Sequence, residues 1–375
     1  MRPIYLDYNA STPIDPVVVA AMRPFLETAF GNPSSPHWAG RLAKVALEDA
    51  RSKVARLLGA EVGEVVFTSG GSEANNLALK GVAWALRNKG DHIVTSVVEH
   101  PSVLEPCRFL GQLGFSVSLV PVDLAGRIDP DDVRRAIRPK TILVSIMHAN
   151  NEVGTIQPIE QVSRITREHG VLLHTDAAQS VGKMATNVDA LGVDLLTVAG
   201  HKLYAPKGIG ALYVRRGTPL EPLIHGAGHE GGRRAGTESA LLTVGLGAAC
   251  DVARDLGVMQ RVRALRDRFW QGLQARFGDR VVLNGHLDYR LPNTLNVSFV
   301  GRVGAEILAQ LEGVAASTGS ACRSGKIELS PVLKAMGVPP ETGMGAIRFS
   351  LGRATFEDDI DAVLDRLAGA LAEAA

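Results

Sequence analysis

Apolar residues along the chain fall into two periods. Short runs, Val65–Phe67, His92–Thr95, Val117–Val120, Thr141–Ile146, Val171–Thr175, Leu195–Val198 and Gly210–Val214, have the length and composition of buried strands. Between them lie stretches with helical spacing, such as Asn75 to Leu86, where good helix formers carry one apolar stripe. Alternation of strand and helix predicts a mostly parallel, seven-stranded sheet, so the fold class is α/β. From about Asp251 the texture changes. A helical stretch runs through Phe277, strand-like Val281–Val282 and Leu295–Phe299 follow, then Ile347–Leu351 and a final amphipathic helix. This predicts a large domain, 14–250, and a smaller α+β domain, 251–375, completed by residues 1–13, with a ligand cleft between them. No internal repeat or low-complexity tract interrupts the pattern.

At 375 residues and 46% hydrophobic, the chain can bury a large core. A net charge of +1 gives no pull toward nucleic acid or membrane surfaces, and neither is expected as a direct partner. No apolar run is long enough to span a bilayer, and no basic-then-apolar start marks an export signal. The 3 cysteines are widely spaced, which argues against a disulfide framework or a zinc ribbon, and no metal site is expected. A reducing cytoplasm is the expected location. Cys107 and Cys250 sit in helix-like apolar patterns and read as inert packing. Cys322 instead lies in a run of small residues, Ala315 to Lys326, with no hydrophobic pattern, which predicts a mobile loop. The cations Arg323 and Lys326 would favour its thiolate over a thiol of ordinary pKa about 8.5.

Lys202 follows the buried run Asp194–Val198 within Ala199-Gly200-His201-Lys202 and precedes the strand Gly210–Val214. A lysine on such a tight connection, among small and apolar groups, has its ammonium form disfavoured, as covalent chemistry with an aldehyde requires. Asp176 ends the run Val171–Thr175, where open α/β sheets bind ligands. Pyridoxal phosphate needs a carboxylate to keep its ring nitrogen protonated, and Asp176 is the candidate. Thr68-Ser69-Gly70-Gly71-Ser72-Glu73 stands between a strand and a helix and lacks the lysine-plus-hydroxyl ending of a Walker loop. Its glycines, the Ser72 hydroxyl and the helix-start amides suit a phosphate.

These residues belong to a longer ordered series. It includes Tyr5-Leu6-Asp7-Tyr8-Asn9-Ala10-Ser11-Thr12-Pro13, Phe30-Gly31-Asn32-Pro33-Ser34-Ser35, Glu99-His100 and His148-Ala149-Asn150-Asn151-Glu152-Val153-Gly154. Asp176-Ala177-Ala178-Gln179-Ser180, Gly200-His201-Lys202, Arg234-Ala235-Gly236-Thr237, Gly319-Ser320-Ala321-Cys322 and Ile347-Arg348-Phe349-Ser350-Leu351-Gly352-Arg353 continue it. Nearly end to end, the chain resembles the cysteine desulfurases of the class V aminotransferase-like, pyridoxal 5'-phosphate-dependent family, which includes selenocysteine lyases. The resemblance implies the type I fold of pyridoxal phosphate-dependent transferases and a homodimer. It implies Lys202 as covalent anchor, Asp176 at the ring nitrogen, Gln179 and Asn151 at the ring hydroxyl side, and His100 stacked on the ring and carrying protons. Gly71, Ser72 and His201 would hold the phosphate, with Thr237 supplied by the second subunit across the glycine-rich 226–234 segment. Arg348, with Asn151, would bind the substrate, its guanidinium fork matching a carboxylate.

The implied reaction converts L-cysteine to L-alanine and leaves sulfur on Cys322 as a persulfide. The sulfur would pass to an acceptor protein, such as an iron–sulfur scaffold or a tRNA-thiolation enzyme. A selenocysteine lyase, an aminotransferase in which Cys322 is idle, and a non-catalytic sulfur-carrier partner or scaffold are the competing readings. Intact Lys202, Asp176 and Cys322 argue against the last. Ala199 stands where many members have a serine, a hydrogen bond worth roughly 1 kcal/mol to a phosphate. Ala205 replaces a frequent glycine, which matters if the backbone there needs a positive φ. Asn9, near the expected substrate, has no physical account at this level.

Overall fold

The computed structural model describes residues 2–318, 320–323 and 326–372, and the side chains of 320–323, 326 and 327 fall outside that description. A short strand, β1 (Ile4–Tyr5), precedes the main sheet. That sheet contains β2 (Val65–Thr68), β3 (His92–Ser96), β4 (Ser116–Val120), β5 (Thr141–Ser145), β6 (Leu172–Asp176), β7 (Leu195–Ala199) and β8 (Gly210–Val214). Their order is β2-β8-β7-β6-β5-β3-β4. β8 pairs antiparallel with β2 and β7, and the other neighbours are parallel. All seven runs picked out by apolar pattern are therefore strands of one sheet.

The central strands lack polar alternation because helices cover both faces. Neighbouring residues face opposite cores: Ile93, Leu143 and Leu195 one, Val94, Val144 and Leu196 the other. The first core includes Leu77 and Val82 of the helix Gly71–Ala85, and the second includes Val54 and Leu58 of Trp38–Leu58 with Leu246 of Ala240–Ala253. Each fully buried aliphatic contributes roughly 1.5–3 kcal/mol.

A second, antiparallel sheet has the order β12-β15-β10-β9, from β9 (Val281–Asn284), β10 (Thr294–Phe299), β12 (Ser317–Thr318) and β15 (Ala346–Ser350). β11 (Val314–Ala315) pairs in parallel with β1, drawing the first residues onto this unit. Helices Gly257–Phe277 and Glu357–Ala372 supply Phe269, Leu273, Leu364 and Leu367 to its core, where the Phe269 and Phe349 rings meet edge to face at 4.9 Å.

Three local features depart from the sequence expectations, and a fourth segment is held more tightly than its glycine content suggests. The helix expected from Asn75 begins at Gly71, because the Glu73 carboxylate reaches back to accept the Ser69 N–H (2.7 Å) and closes the first turn over the glycines. The helical stretch before Phe277 is broken after Ala253, where Asp255 accepts from Gly257 N (2.9 Å). The Cys322 stretch is not a structureless loop: β13 (Ser320–Arg323) pairs antiparallel with β14 (Lys326–Leu329), Cys322 opposite Ile327. The glycine-rich segment is pinned rather than slack. Glu230, at φ 50°, takes a two-pronged ion pair from buried Arg51 (2.6 and 2.9 Å) and accepts from Phe67 N (2.8 Å).

Candidate active site

β3, β5, β6 and β7 are parallel and β2 runs the same way, so their C-terminal ends deliver the following residues to one edge of the sheet. A cavity of about 640 Å³ opens there, lined by Gly71, Ser72, His100, Asn151, Asp176, Gln179, His201, Lys202 and Arg348. Residues from position 71 to position 348 thus converge on one volume. The side chain of Cys322 lies outside the described residues. Thr237 is exposed and lines a different depression, beside Ser69 and Arg234. Arg234 of that segment is paired with Glu73 in the first turn of the cavity helix (2.9 Å).

Lys202 ends a short turn, Gly200–Lys202, directly after β7. Its Nζ donates to the carbonyls of Asn9 (2.6 Å) and Ala10 (2.8 Å). Burial and, next, the positive charge of Arg348 lower its pKa from 10.5 to about 8. Tyr204, two residues on, holds a φ of 68°, so the left-handed residue of this turn is Tyr204 and not Ala205. Thr12 fixes it by accepting from Tyr204 N (2.8 Å).

Asp176 is buried at the end of β6. Its carboxylate accepts from Asn75 Nδ2 (2.7 Å) and Ala178 N (2.9 Å) and keeps lone-pair capacity facing the cavity. Asn75 also donates to Ser102 Oγ (2.8 Å), which lies 2.8 Å from His100 Nδ1. The Ser102 N–H donates to the same Nδ1 (3.1 Å). A backbone N–H can only donate, so a neutral His100 carries its proton on Nε2. Loss of surrounding water lowers the His100 pKa first and the Lys202 charge lowers it further, while Asp176 opposes both. His201 is pushed down to about 4, chiefly by burial and then by the neighbouring lysines, so it is neutral at pH 7.

The helix Gly71–Ala85 has no side-chain cap at its start, leaving first-turn amides open toward the cavity. A Cβ at Gly71 would stand 3.1 Å from the Ala199 Cβ, so this wall is a close-fitting cradle. Donors at the uncapped helix start, the Ser72 hydroxyl and neutral His201, together with an accepting carboxylate and a lysine of lowered pKa, form the set of partners that a phosphorylated pyridine aldehyde requires. Ala199 leaves one hydroxyl out of that set, and Ser72 and His201 remain as its side-chain donors.

Three contributors went unassigned in the sequence. Asn75 sits one helical turn after Gly71, and a polar residue at that spacing on an otherwise apolar stripe is a signal that could have found it. Asn9 accepts Lys202 on its carbonyl, while its side chain donates to Thr294 Oγ1 (2.8 Å) and the Asn151 carbonyl (3.2 Å). Lys183 is buried behind it, with no local signal in the sequence. Cys107 and Cys250 are buried as expected, and burial pushes the Cys107 thiol up to about 12.

An α/β fold of this topology, with a strand-end lysine, a strand-end carboxylate and an uncapped helix start around one cavity, defines a pyridoxal phosphate-dependent enzyme of the type I fold. The chain belongs to the aminotransferase class-V family, whose sequence model matches residues 4–363. It is 52% identical over 371 residues to the cysteine desulfurase IscS of Dictyoglomus turgidum, covering 98% of this chain and 94% of that protein. The cysteine desulfurase IscS of Methanosarcina thermophila is 46% identical over 368 residues, covering 97% and 91%. Among solved structures, a NifS-like protein superposes with a TM-score of 0.93 at 38% identity, covering 99% of this chain and 100% of that one. SspA in complex with cysteine superposes with a TM-score of 0.84 at 38% identity, covering 94% and 100%. Pyridoxal 5'-phosphate is the cofactor of this family.

Proposed function

We propose that the protein is a cysteine desulfurase: it takes L-cysteine, releases L-alanine and retains the sulfur as a persulfide on Cys322. The observation that carries this reading is the convergence of Lys202, Asp176 and Arg348 on one cavity. When bound, the cofactor supplies an electron-accepting ring that stabilises negative charge at the substrate α-carbon. Lys202 would hold it covalently, and its amine would serve as the base at the α-proton, a task suited to a pKa of about 8. Asp176 would hold the proton on the ring nitrogen, and Gln179 and Asn151 would bind on the ring hydroxyl side. Gly71, Ser72 and His201 bind the phosphate. His100 would stack on the ring and carry protons through Nε2. Arg348 grips the substrate carboxylate.

Cys322 then acts on sulfur. Its thiolate forms an S–S bond to the substrate sulfur as the carbon–sulfur bond breaks, and the electron pair stays with the carbon fragment, which takes up protons and leaves as alanine. Supporting this assignment, Ser317 of β12 lies opposite Arg348 of β15, so the chain that leads to Cys322 departs beside the carboxylate grip.

The working unit is a homodimer in which Thr237 completes the partner's phosphate site. Trp38 (71% exposed), Leu42 and Val45 share one exposed face of the helix Trp38–Leu58, and Phe30 (83%) is exposed in the loop before it, apolar surface of the kind that a second copy covers. The IscS name of the relatives supports delivery of sulfur to a scaffold-type acceptor protein; a tRNA-thiolation enzyme is the alternative acceptor in this reading, and a reducing cytoplasm its setting. No helix among the described residues is long and apolar enough to cross a membrane.

The test is a single turnover on L-cysteine, with alanine quantified and the protein mass measured. Wild type should gain one sulfur at Cys322. Cys322→Ala should bind cofactor and cysteine yet form no persulfide and release little alanine, whereas Cys107→Ala and Cys250→Ala stay near normal. Undiminished alanine release by Cys322→Ala on cysteine would overturn the reading; survival on selenocysteine alone would identify a lyase.

A further inference from the structure

Lys183 is a lysine that the reaction outlined above does not use, and its surroundings are unusual. It is 7% exposed and lies in the turn that follows β6. Buried lysines are normally paired with a carboxylate, yet among the described residues Lys183 has no ion pair. Its Nζ donates instead to the Gln179 amide oxygen (2.8 Å), four residues back, and more weakly to the Asn9 side-chain oxygen (3.4 Å).

The consequence is directional. Gln179 has one acceptor end and one donor end, and their placement is decided by what surrounds them. Its Nε2 donates to the Asn9 carbonyl (3.0 Å), the same oxygen that receives Lys202 Nζ at 2.6 Å. A backbone carbonyl can only accept, and Lys183 supplies the donor on the opposite side. Asn293 Nδ2 holds the Asn9 side chain from behind (3.0 Å), so the acceptors around Lys183 are themselves fixed. Gln179 also lines the cavity.

We propose that Lys183 is a positioning residue of the cofactor site: by occupying the Gln179 amide oxygen it keeps the N–H donors of Gln179 on the side of Asn9 and Lys202. A ring oxygen bound there meets a donor. With the amide reversed it would meet an acceptor and be repelled. This rests on the reading of the cavity as a pyridoxal phosphate site.

The experiment compares Lys183→Met, which has no donor, with Lys183→Gln, which is also uncharged but keeps an N–H. The readouts are the dissociation constant of pyridoxal 5'-phosphate and the pH midpoint of the bound cofactor's absorbance change, alongside turnover. Lys183→Met should weaken cofactor binding about tenfold, the scale of one lost buried hydrogen bond, and move the midpoint. Lys183→Gln should recover most of that loss. In a Gln179→Leu background the two variants should be equal, because the acceptor through which Lys183 acts is gone. Lys183→Leu serves as the donor-less variant should Lys183→Met not fold. Wild-type affinity and midpoint in a folded donor-less variant would overturn the proposal, and so would equal impairment of the Gln and donor-less variants. Failure of wild type to bind pyridoxal phosphate would instead overturn the reading of the cavity, and this assignment with it.

Discussion

Arg348 donates to the Asp7 carboxylate at 2.7 Å across 341 residues of sequence, while its other terminal nitrogen donates to the Asn151 carbonyl at 3.0 Å. Asp7 Oδ1 accepts from Ser317 Oγ as well (2.9 Å). The guanidinium is therefore fixed in plane before any substrate arrives, and the Nε of Arg348 is buried with no partner among the described residues. A pre-oriented fork of this kind suits a carboxylate and cannot be copied by a lysine's point charge.

Arg348→Lys should raise the KM for cysteine at least about tenfold, roughly 1.4 kcal/mol, and affect kcat less. Asp7→Asn, which keeps the shape but removes the charge that holds the fork, should raise KM by a smaller factor. Steady-state kinetics on both variants check this. An unchanged KM in Arg348→Lys would remove Arg348 from the substrate site.

The Lys202 amine should become reactive near pH 8 rather than 10.5, because burial and Arg348 both disfavour its charged form. Above pH 8 the free amine predominates, so the rate at which apoenzyme takes up pyridoxal phosphate, trapped by borohydride and mapped to Lys202, should rise between pH 7 and 9. Removal of a like charge favours the ammonium, so Arg348→Leu should move the midpoint upward. A midpoint that does not respond to Arg348→Leu would assign the shift to burial alone.

Glu99 is buried beside the cavity floor, and burial lifts its pKa from 4.5 to about 8 despite hydrogen bonds to Oε1 from Ser96 Oγ and Met147 N, both 2.8 Å. A raised carboxyl pKa means that the folded protein binds the proton more tightly than the unfolded chain. Its contribution to stability is whole below pH 4.5 and is lost as pH rises toward 8. Glu99→Gln keeps the accepting oxygen and cannot ionise. Urea midpoints measured at pH 5 and pH 8 should fall more in wild type than in Glu99→Gln. Parallel changes would show that Glu99 is already ionised at pH 5.

Mixing a Lys202→Ala subunit with a Thr237→Ala subunit tests the shared site. A heterodimer of this kind contains one doubly damaged site and one intact site, so activity should partly return on subunit exchange. Exchange demonstrated by mass without recovery would mean that each chain builds its site alone.

The strands were legible because the main sheet is covered on both faces. Continuous apolar runs such as Leu195–Val198 can be satisfied in few other ways, and their parallel order leads the chain ends to one edge. Lys202 and Asp176 were legible for the same reason, since each immediately follows or closes such a run. The start of the helix at Gly71 was not, because a side chain from within the helix, Glu73, overrides the low propensity of glycine there. Nor was the pairing of Ser320–Arg323 with Lys326–Leu329, since small residues without alternation carry no period to read.

By itself the sequence determined what depends on neighbours along the chain: which segments are strands or helices, the fold class that their alternation forces, and the reactive groups set at strand ends. The tertiary structure alone decided which distant groups meet. Asn9 became a hub only when β1 paired with β11 and brought the first residues against Lys202, Lys183 and Asn293. Asp7 came to hold Arg348 by the same closure. Periodicity reports the burial of one element against its surroundings, whereas a hydrogen bond across hundreds of residues depends on how whole elements stack, and no local pattern encodes that.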